Sequence, residues 1–189
     1  MDRSGERFWP DSADPYDEIS AEHFQRYRSI LDLARGKTVL DAGSGEGYGA
    51  RLLAETSTVV FGVDASLDAI HHASSKYSRP NLHFLPGLIE ALPFPDSAFD
   101  VVAAFEVIEH VDGDLQNAFL CEARRVLRPD GFLVISTPNR AVYTDAANQR
   151  NPFHKREFYI EEFEAFLKQV FPRVSLFGQS WLLSSVLEK

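Results

Sequence analysis

Two segments carry side chains able to do acid–base or metal chemistry. In Phe105-Glu106-Val107-Ile108-Glu109-His110-Val111, two carboxylates stand three residues apart with an imidazole beside the second. If that stretch enters a helical turn the three groups converge, and a mixed oxygen and nitrogen set suits a divalent ion that keeps open water positions. The plainer alternative is that Glu109 and His110 only begin the next helix. The second imidazole, His154, follows Asn151-Pro152-Phe153. It reads as a ligand, as a general base, the role histidine most often takes, or as a loop residue packed under the last helix.

A second kind of chemistry needs backbone rather than side chains. Asp41-Ala42-Gly43-Ser44-Gly45-Glu46-Gly47 has glycine at alternate positions after an apolar strand, which lets the chain turn tightly against a ligand with helix N–H groups beyond. It is not the dinucleotide fingerprint, whose third glycine falls where Tyr48 stands. Gly62-Val63-Asp64 ends a second apolar run, and a carboxylate there can accept two hydrogen bonds from a ribose diol. Its alternative is helix capping, for which Ser66 is better placed.

These groups are presented by an alternating series of elements. Apolar residues at helical spacing run from Asp17 to Ala34 and stop at Gly36. Strands are expected at Thr38–Leu40, Thr58–Val63, Leu82–Leu85, Phe99–Phe105 and Phe132–Ser136, and helices at Tyr48–Glu55, Ser66–Tyr77, Leu115–Leu127 and Ile160–Val170. Arg128-Pro129-Asp130-Gly131 reads as a turn, and Val174–Phe177 with Trp181–Leu187 as a closing strand pair. Strands apolar throughout and separated by helices signal an α/β fold, a parallel sheet covered on both faces, with ligands beyond the strands' carboxyl ends. Cys121 falls in a helical pattern and is expected in the packed core.

With 189 residues, 44% apolar and 25% charged, the chain is one domain's worth of sequence. No apolar run approaches the ~20 residues needed to span a bilayer. The opening residues have no apolar stretch behind a basic patch, so a secretory signal is not expected. One cysteine excludes an internal disulfide and fits a reducing, cytoplasmic compartment. The net charge of −9 repels phosphate backbones, so nucleic-acid binding is disfavoured.

The residues Val39–Gly47 and Gly62–Asp64, with Glu90-Ala91-Leu92-Pro93-Phe94, Phe99-Asp100-Val101-Val102 and Val126–Gly131, resemble the class I S-adenosylmethionine-dependent methyltransferases in order across residues 37–137. The resemblance implies a single Rossmann-like domain over 37–189, with a mostly parallel seven-stranded sheet and residues 1–36 as a lead-in and docking helix. It places the methionine end of S-adenosylmethionine on Asp41, Gly43, Ser44, Gly45 and Gly47, and the ribose on Asp64. Phe105 and Glu106 then line the floor under the sulfonium, and Ala65, Ile89 and Glu90 complete the cofactor set. Such proteins often carry an acidic adenine contact where Leu88 stands here, which removes about 1 kcal/mol of hydrogen bonding.

Glu-x-x-Glu-His with a later histidine also resembles the small-RNA 2′-O-methyltransferases, in which such residues hold magnesium. That implies Glu106, Glu109, His110 and His154 as ligands of Mg2+ or another divalent cation, and His110, His154 and Glu109 as catalytic residues. The leader, Ser4–Phe8 with Glu22–Tyr27, and the Asn151–His154 and Glu157-Phe158 segments resemble a bacterial methyltransferase subgroup associated with polysaccharide biosynthesis. The expectation is an O-methyltransferase acting on a sugar, glycan or diol-bearing small molecule. A catechol or quinone-precursor acceptor and a non-catalytic cofactor-binding module are the alternatives. His23 and Tyr27 share one helix face, suited to a lid over the cofactor, whereas Phe24, Tyr27 and Leu31 suit simple docking.

Overall fold

The computed structural model describes residues 18–148 and 150–179. Among them five parallel strands form one sheet in the order β3-β2-β1-β4-β5. The strands are β1 (Thr38–Ala42), β2 (Val59–Asp64), β3 (Leu82–Pro86), β4 (Phe99–Phe105) and β5 (Leu127–Ser136). The chain winds outward from β1 to β3 and then crosses back to β4. The switch point therefore lies between β1 and β4, where the carboxyl ends open a crevice.

Side chains alternate across the sheet as a strand's period of two requires. Val39, Val101 and Ala103 meet Tyr27, Tyr48 and Leu53 on one face. Leu40, Ala42, Val102 and Ala104 meet Phe119, Leu120, Phe158 and Phe166 on the other. Helices α1 (Glu18–Ser29), α2 (Leu31–Ala34) and α3 (Tyr48–Leu53) contribute to the first layer, and α5 (Gly113–Val126) and α6 (Ile160–Lys168) to the second. Helix α4 (Leu67–Lys76) starts at Ser66, whose hydroxyl accepts from the Ala69 N–H at 3.3 Å as a cap should. No helix among the described residues is long and apolar enough to cross a membrane.

Several expectations change. The single helix expected up to Ala34 breaks at Ile30, whose backbone (φ −108°, ψ 5°) leaves the helical region while its side chain enters the core. The turn at Arg128–Gly131 is an excursion within β5: Leu127 pairs with Phe99 and Phe132 with Val101, so the residues between them fall out of register. Seven strands reduce to five among the described residues. Val174–Phe177 has no strand pairing, and with Phe177 92% exposed it lacks a strand's alternating burial; Trp181–Leu187 lies outside the described residues. Cys121 is exposed, not core: the buried stripe of α5 is Gln116, Phe119, Leu120, Ala123 and Val126, and Cys121 sits just off it.

Candidate functional site

Two half-sites meet at the switch point. The first begins with Asp41, fully buried in β1 between Gly62 of β2 and Ala103 of β4. Its Oδ1 accepts from the Tyr27 hydroxyl of α1 at 3.0 Å, while Oδ2 has no partner among the described residues. Burial pushes the Asp41 carboxyl up to about 7; the Tyr27 hydrogen bond opposes that rise and the nearby Asp64 charge adds to it. An unpartnered buried carboxylate oxygen costs free energy unless a ligand meets it, and a cationic amino group answers that need. The Ser44 hydroxyl is also buried and without a described partner.

The loop that follows runs in left-handed conformations that glycine tolerates and other residues resist. At Gly43 (φ +75°) a Cβ would lie 2.5 Å from Val107, and at Gly47 (φ +89°) 2.6 Å from the Phe84 ring and 2.7 Å from Ala73. Beyond Gly45, by contrast, there is open space. Asp64 ties this loop down: Oδ2 accepts from the Gly45 N–H at 2.9 Å and Oδ1 from the Ser66 N–H at 2.8 Å. Asp64 is thus a loop anchor, and a ribose diol there would share oxygens already accepting from backbone. Ala65 is exposed next to it. Ile89 is buried and Glu90 half-buried in a tight turn closed by the Ala91 N–H on the Leu88 carbonyl, and Leu88 itself is 49% exposed.

Sequence reading passed over Glu46. It is buried to 1%, with its carboxylate 2.9 Å from His72 Nε2 and 3.7 Å from Lys76 Nζ, so it locks the glycine loop to α4. Helix α1 closes the same half-site from above. His23 Nδ1 meets the Tyr48 hydroxyl at 3.1 Å, Tyr27 packs edge-on against Tyr48 and Phe105, and Arg26 reaches Glu106 Oε2 at 3.7 Å. Burial, followed by the Arg26 charge, lowers His23 to about 4, so its ring is neutral near pH 7. Phe24, Tyr27 and Leu31 pack with the first layer, as the docking reading expects.

The second half-site starts where β4 ends. Glu106 adopts φ +55°, a left-handed conformation that costs a non-glycine residue about 1–3 kcal/mol. It is held by its N–H to the Ser136 hydroxyl at 3.2 Å and by Ser136 Oγ donating to Glu106 Oε1 at 2.6 Å. The next residues, Ile108–His110, form one 3₁₀ turn, which turns Glu109 inward until it is 1% exposed. Its Oε2 accepts from Thr137 Oγ1 at 3.0 Å, and Oε1 has no partner among the described residues. Burial, and then repulsion from the Glu106 carboxylate, hold the Glu109 carboxyl well above the usual range.

The segment after β5 packs onto this turn. The Glu109 carbonyl accepts from the N–H groups of Lys155 and Arg156, at 2.7 and 3.2 Å. His154 is thereby buried, its ring centroid 5.1 Å from that of His110 and stacked on Tyr143 at 5.4 Å. Tyr143 belongs to an exposed π-helical turn, Ala141–Ala146, that sequence reading did not expect. Donor atoms of Glu109, His110 and His154 all lie within 4.8 Å of one another. Glu106, the fourth expected ligand, stands outside that group and is held by Ser136 and Arg26. Thr137, just beyond the end of β5, and Asn151 and Glu157 complete the surroundings.

Comparison with known proteins fits this geometry. The profile of the methyltransferase domain family matches residues 40–135. A probable S-adenosylmethionine-dependent methyltransferase of Mycobacterium tuberculosis is 38% identical over 169 residues, covering 87% of this chain and 58% of the relative. One of the same description from Mycolicibacterium smegmatis is 38% identical over 143 residues, covering 75% of this chain and 54% of its own. A solved structure from Pyrococcus horikoshii superposes with a TM-score of 0.73 at 22% identity, over 89% of this chain and 90% of that one. The YcgJ protein of Bacillus subtilis gives 0.65 at 28% identity, over 76% and 66%.

This chain belongs to the S-adenosylmethionine-dependent methyltransferase family. It spans between half and three-fifths of the length of those two mycobacterial relatives.

Proposed function

We propose that this domain transfers the methyl group of S-adenosylmethionine to a hydroxyl of a small acceptor, a sugar, glycan or other diol-bearing molecule. The observation that carries this reading is the buried His154 imidazole beside Glu109 and His110, adjoining the cofactor half at the carboxyl end of β4. When bound, S-adenosylmethionine supplies an electrophilic methyl carbon on a sulfonium, so transfer is an in-line displacement that discharges the cation. On the protein side, Asp41 Oδ2 and Ser44 Oγ are the buried polar atoms left to meet the amino-acid end. Gly45 leaves backbone open to a ligand, Gly47 shapes the turn behind it, and Asp64 is the carboxylate for the ribose. Ala65, Ile89, Glu90 and Phe105 border the same crevice in this reading.

The acceptor side assigns roles by proton affinity. Glu109, held well above the usual carboxyl range by burial and the Glu106 charge, is suited to a donor or orienting role rather than to that of a base. His154 takes the hydroxyl proton, and His110, fixed by Nδ1 against the Phe153 carbonyl at 3.3 Å, lines the opposite side. Helix α1, with Arg26 on Glu106, excludes water from the space between.

A divalent cation is a second reading, favoured by the three donor atoms within 4.8 Å. Glu109, His110 and His154 would hold it, with Glu106 left on Ser136 and Arg26. Such an ion would supply positive charge that lowers the pKa of a chelated hydroxyl.

Acceptor class is decided by a panel of nucleotide sugars, free sugars, catechols and fatty acids, with and without magnesium, read by release of S-adenosylhomocysteine. The fatty acids are included because a fatty-acid O-methyltransferase of Mycolicibacterium smegmatis is 36% identical over 134 residues. Turnover confined to hydroxyl acceptors bearing a vicinal diol supports the proposal; turnover of fatty acids or of none of the panel opposes it.

A further inference from the structure

The His154 ring is held on both nitrogens, and the chain fixes which one carries the proton. Asn151 Oδ1 accepts from the Phe153 N–H at 3.0 Å, so the Asn151 amide must turn its Nδ2 toward His154 Nε2, 3.1 Å away. An NH2 group only donates, so Nε2 presents a lone pair. On the other side Nδ1 lies 2.6 Å from Glu157 Oε1, and Glu157 Oε2 accepts from Thr144 Oγ1, also at 2.6 Å. The proton is therefore on Nδ1, shared with a carboxylate that is itself only 7% exposed. Free imidazole in water favours the other tautomer, with the proton on Nε2; the surroundings reverse that preference.

We propose that Glu157 is a positioning residue for methyl transfer: it holds His154, whose ring lies 5.1 Å from that of His110, in the Nδ1–H tautomer and leaves Nε2 as its accepting nitrogen. The inference rests on the reading of His154 as the base. In the transfer, the acceptor oxygen forms its bond to the methyl carbon as the carbon–sulfur bond breaks, and the electron pair of that bond goes to sulfur. The hydroxyl proton passes to Nε2, displacing the Asn151 amide, and the resulting imidazolium keeps its Nδ1–H on Glu157 Oε1. Thr144 fixes the far oxygen of that carboxylate, so the pair is aimed before any substrate arrives.

The test is a long-range proton–nitrogen correlation spectrum of histidine-labelled protein at fixed neutral pH, with the His154 signals assigned by their loss in His154→Gln. The expected wild-type pattern is a protonated Nδ1 and a bare Nε2. In the background of Asn151→Ala, where no amide faces Nε2, that pattern should persist, the added Glu157→Leu should convert it to the Nε2–H pattern, and Glu157→Asp in its place should keep the original one. A wild-type ring protonated at Nε2, or an unchanged tautomer in a folded Asn151→Ala, Glu157→Leu double variant, overturns the proposal. If the double variant does not fold, Asn151→Ala alone decides the matter: loss of the Nδ1–H pattern there overturns the proposal. Full methyl transfer by His154→Gln would remove the base role of His154 while leaving the tautomer result standing, so the two failures are separable.

Discussion

The two half-sites are built in opposite ways. The proposed cofactor half, from Asp41 to Ser66, is a backbone construction: glycine dihedrals, loop N–H groups tied to Val63 and Ser44 carbonyls, and a carboxylate that bonds the loop two residues ahead and nineteen behind it. The proposed acceptor half is a side-chain construction. Glu109 is held by Thr137, His110 by Phe153, and His154 by Glu157 and Asn151, across three separate stretches of chain. A backbone site tolerates little change of shape yet binds one invariant ligand. A side-chain site can be re-specified residue by residue, as suits the half that chooses the acceptor.

That contrast can be broken in several places. His154→Ala should show the largest effect, lowering methyl transfer by about 10²–10⁴-fold, the usual contribution of a positioned base, without unfolding the domain. Gly47→Val acts on the opposite half and on the fold itself. A β-branched side chain at φ +89° against Phe84 and Ala73 should cost about 2–5 kcal/mol from the left-handed backbone and overpacking together. Urea unfolding measures it; a loss under 1 kcal/mol would show that the loop relaxes freely.

Asp41 makes a graded prediction. With its carboxyl at about 7, the group is protonated below that pH, while a cationic amino group of the ligand favours the ionised form. Affinity for S-adenosylhomocysteine should therefore rise about tenfold per pH unit on the acid side of 7 and level off above it. Asp41→Asn should flatten the profile, and a flat wild-type profile would separate Asp41 from the ligand's charge. Tyr27→Phe should have the smallest effect, about 1 kcal/mol of stability for the lost hydrogen bond. Because Tyr27 holds the Asp41 carboxyl down, the same variant should move the midpoint of the pH profile upward.

The difference in construction also governs what the sequence discloses. Asp41, the alternate glycines, Asp64 and the Ser66 cap are local patterns whose geometry follows from neighbouring residues, and all were readable along with the parallel α/β order. The Tyr27–Asp41 bond and the burial of Glu46 against α4 depend on tertiary placement, and the His154–Glu157 pair, though only three residues apart, lies in an irregular segment outside any helix. No spacing rule reports them. Glu106 was grouped with Glu109 by spacing, yet its left-handed backbone and the Ser136 hydroxyl draw it out of the donor cluster. Cys121 failed for a smaller reason: one position along a helix turns a side chain by about 100°, enough to move it from core to solvent.

The division of labour itself is tested by calorimetric titration of S-adenosylhomocysteine into wild type, Asp64→Ala and His154→Ala. The expected result is binding to wild type, a loss of about 10–100-fold in Asp64→Ala, as for a hydrogen-bonded charged group, and unchanged affinity in His154→Ala. Equal binding by wild type and Asp64→Ala, or a loss in His154→Ala as large as in Asp64→Ala, would contradict a cofactor half at β1–β2 and an acceptor half at β4–β5.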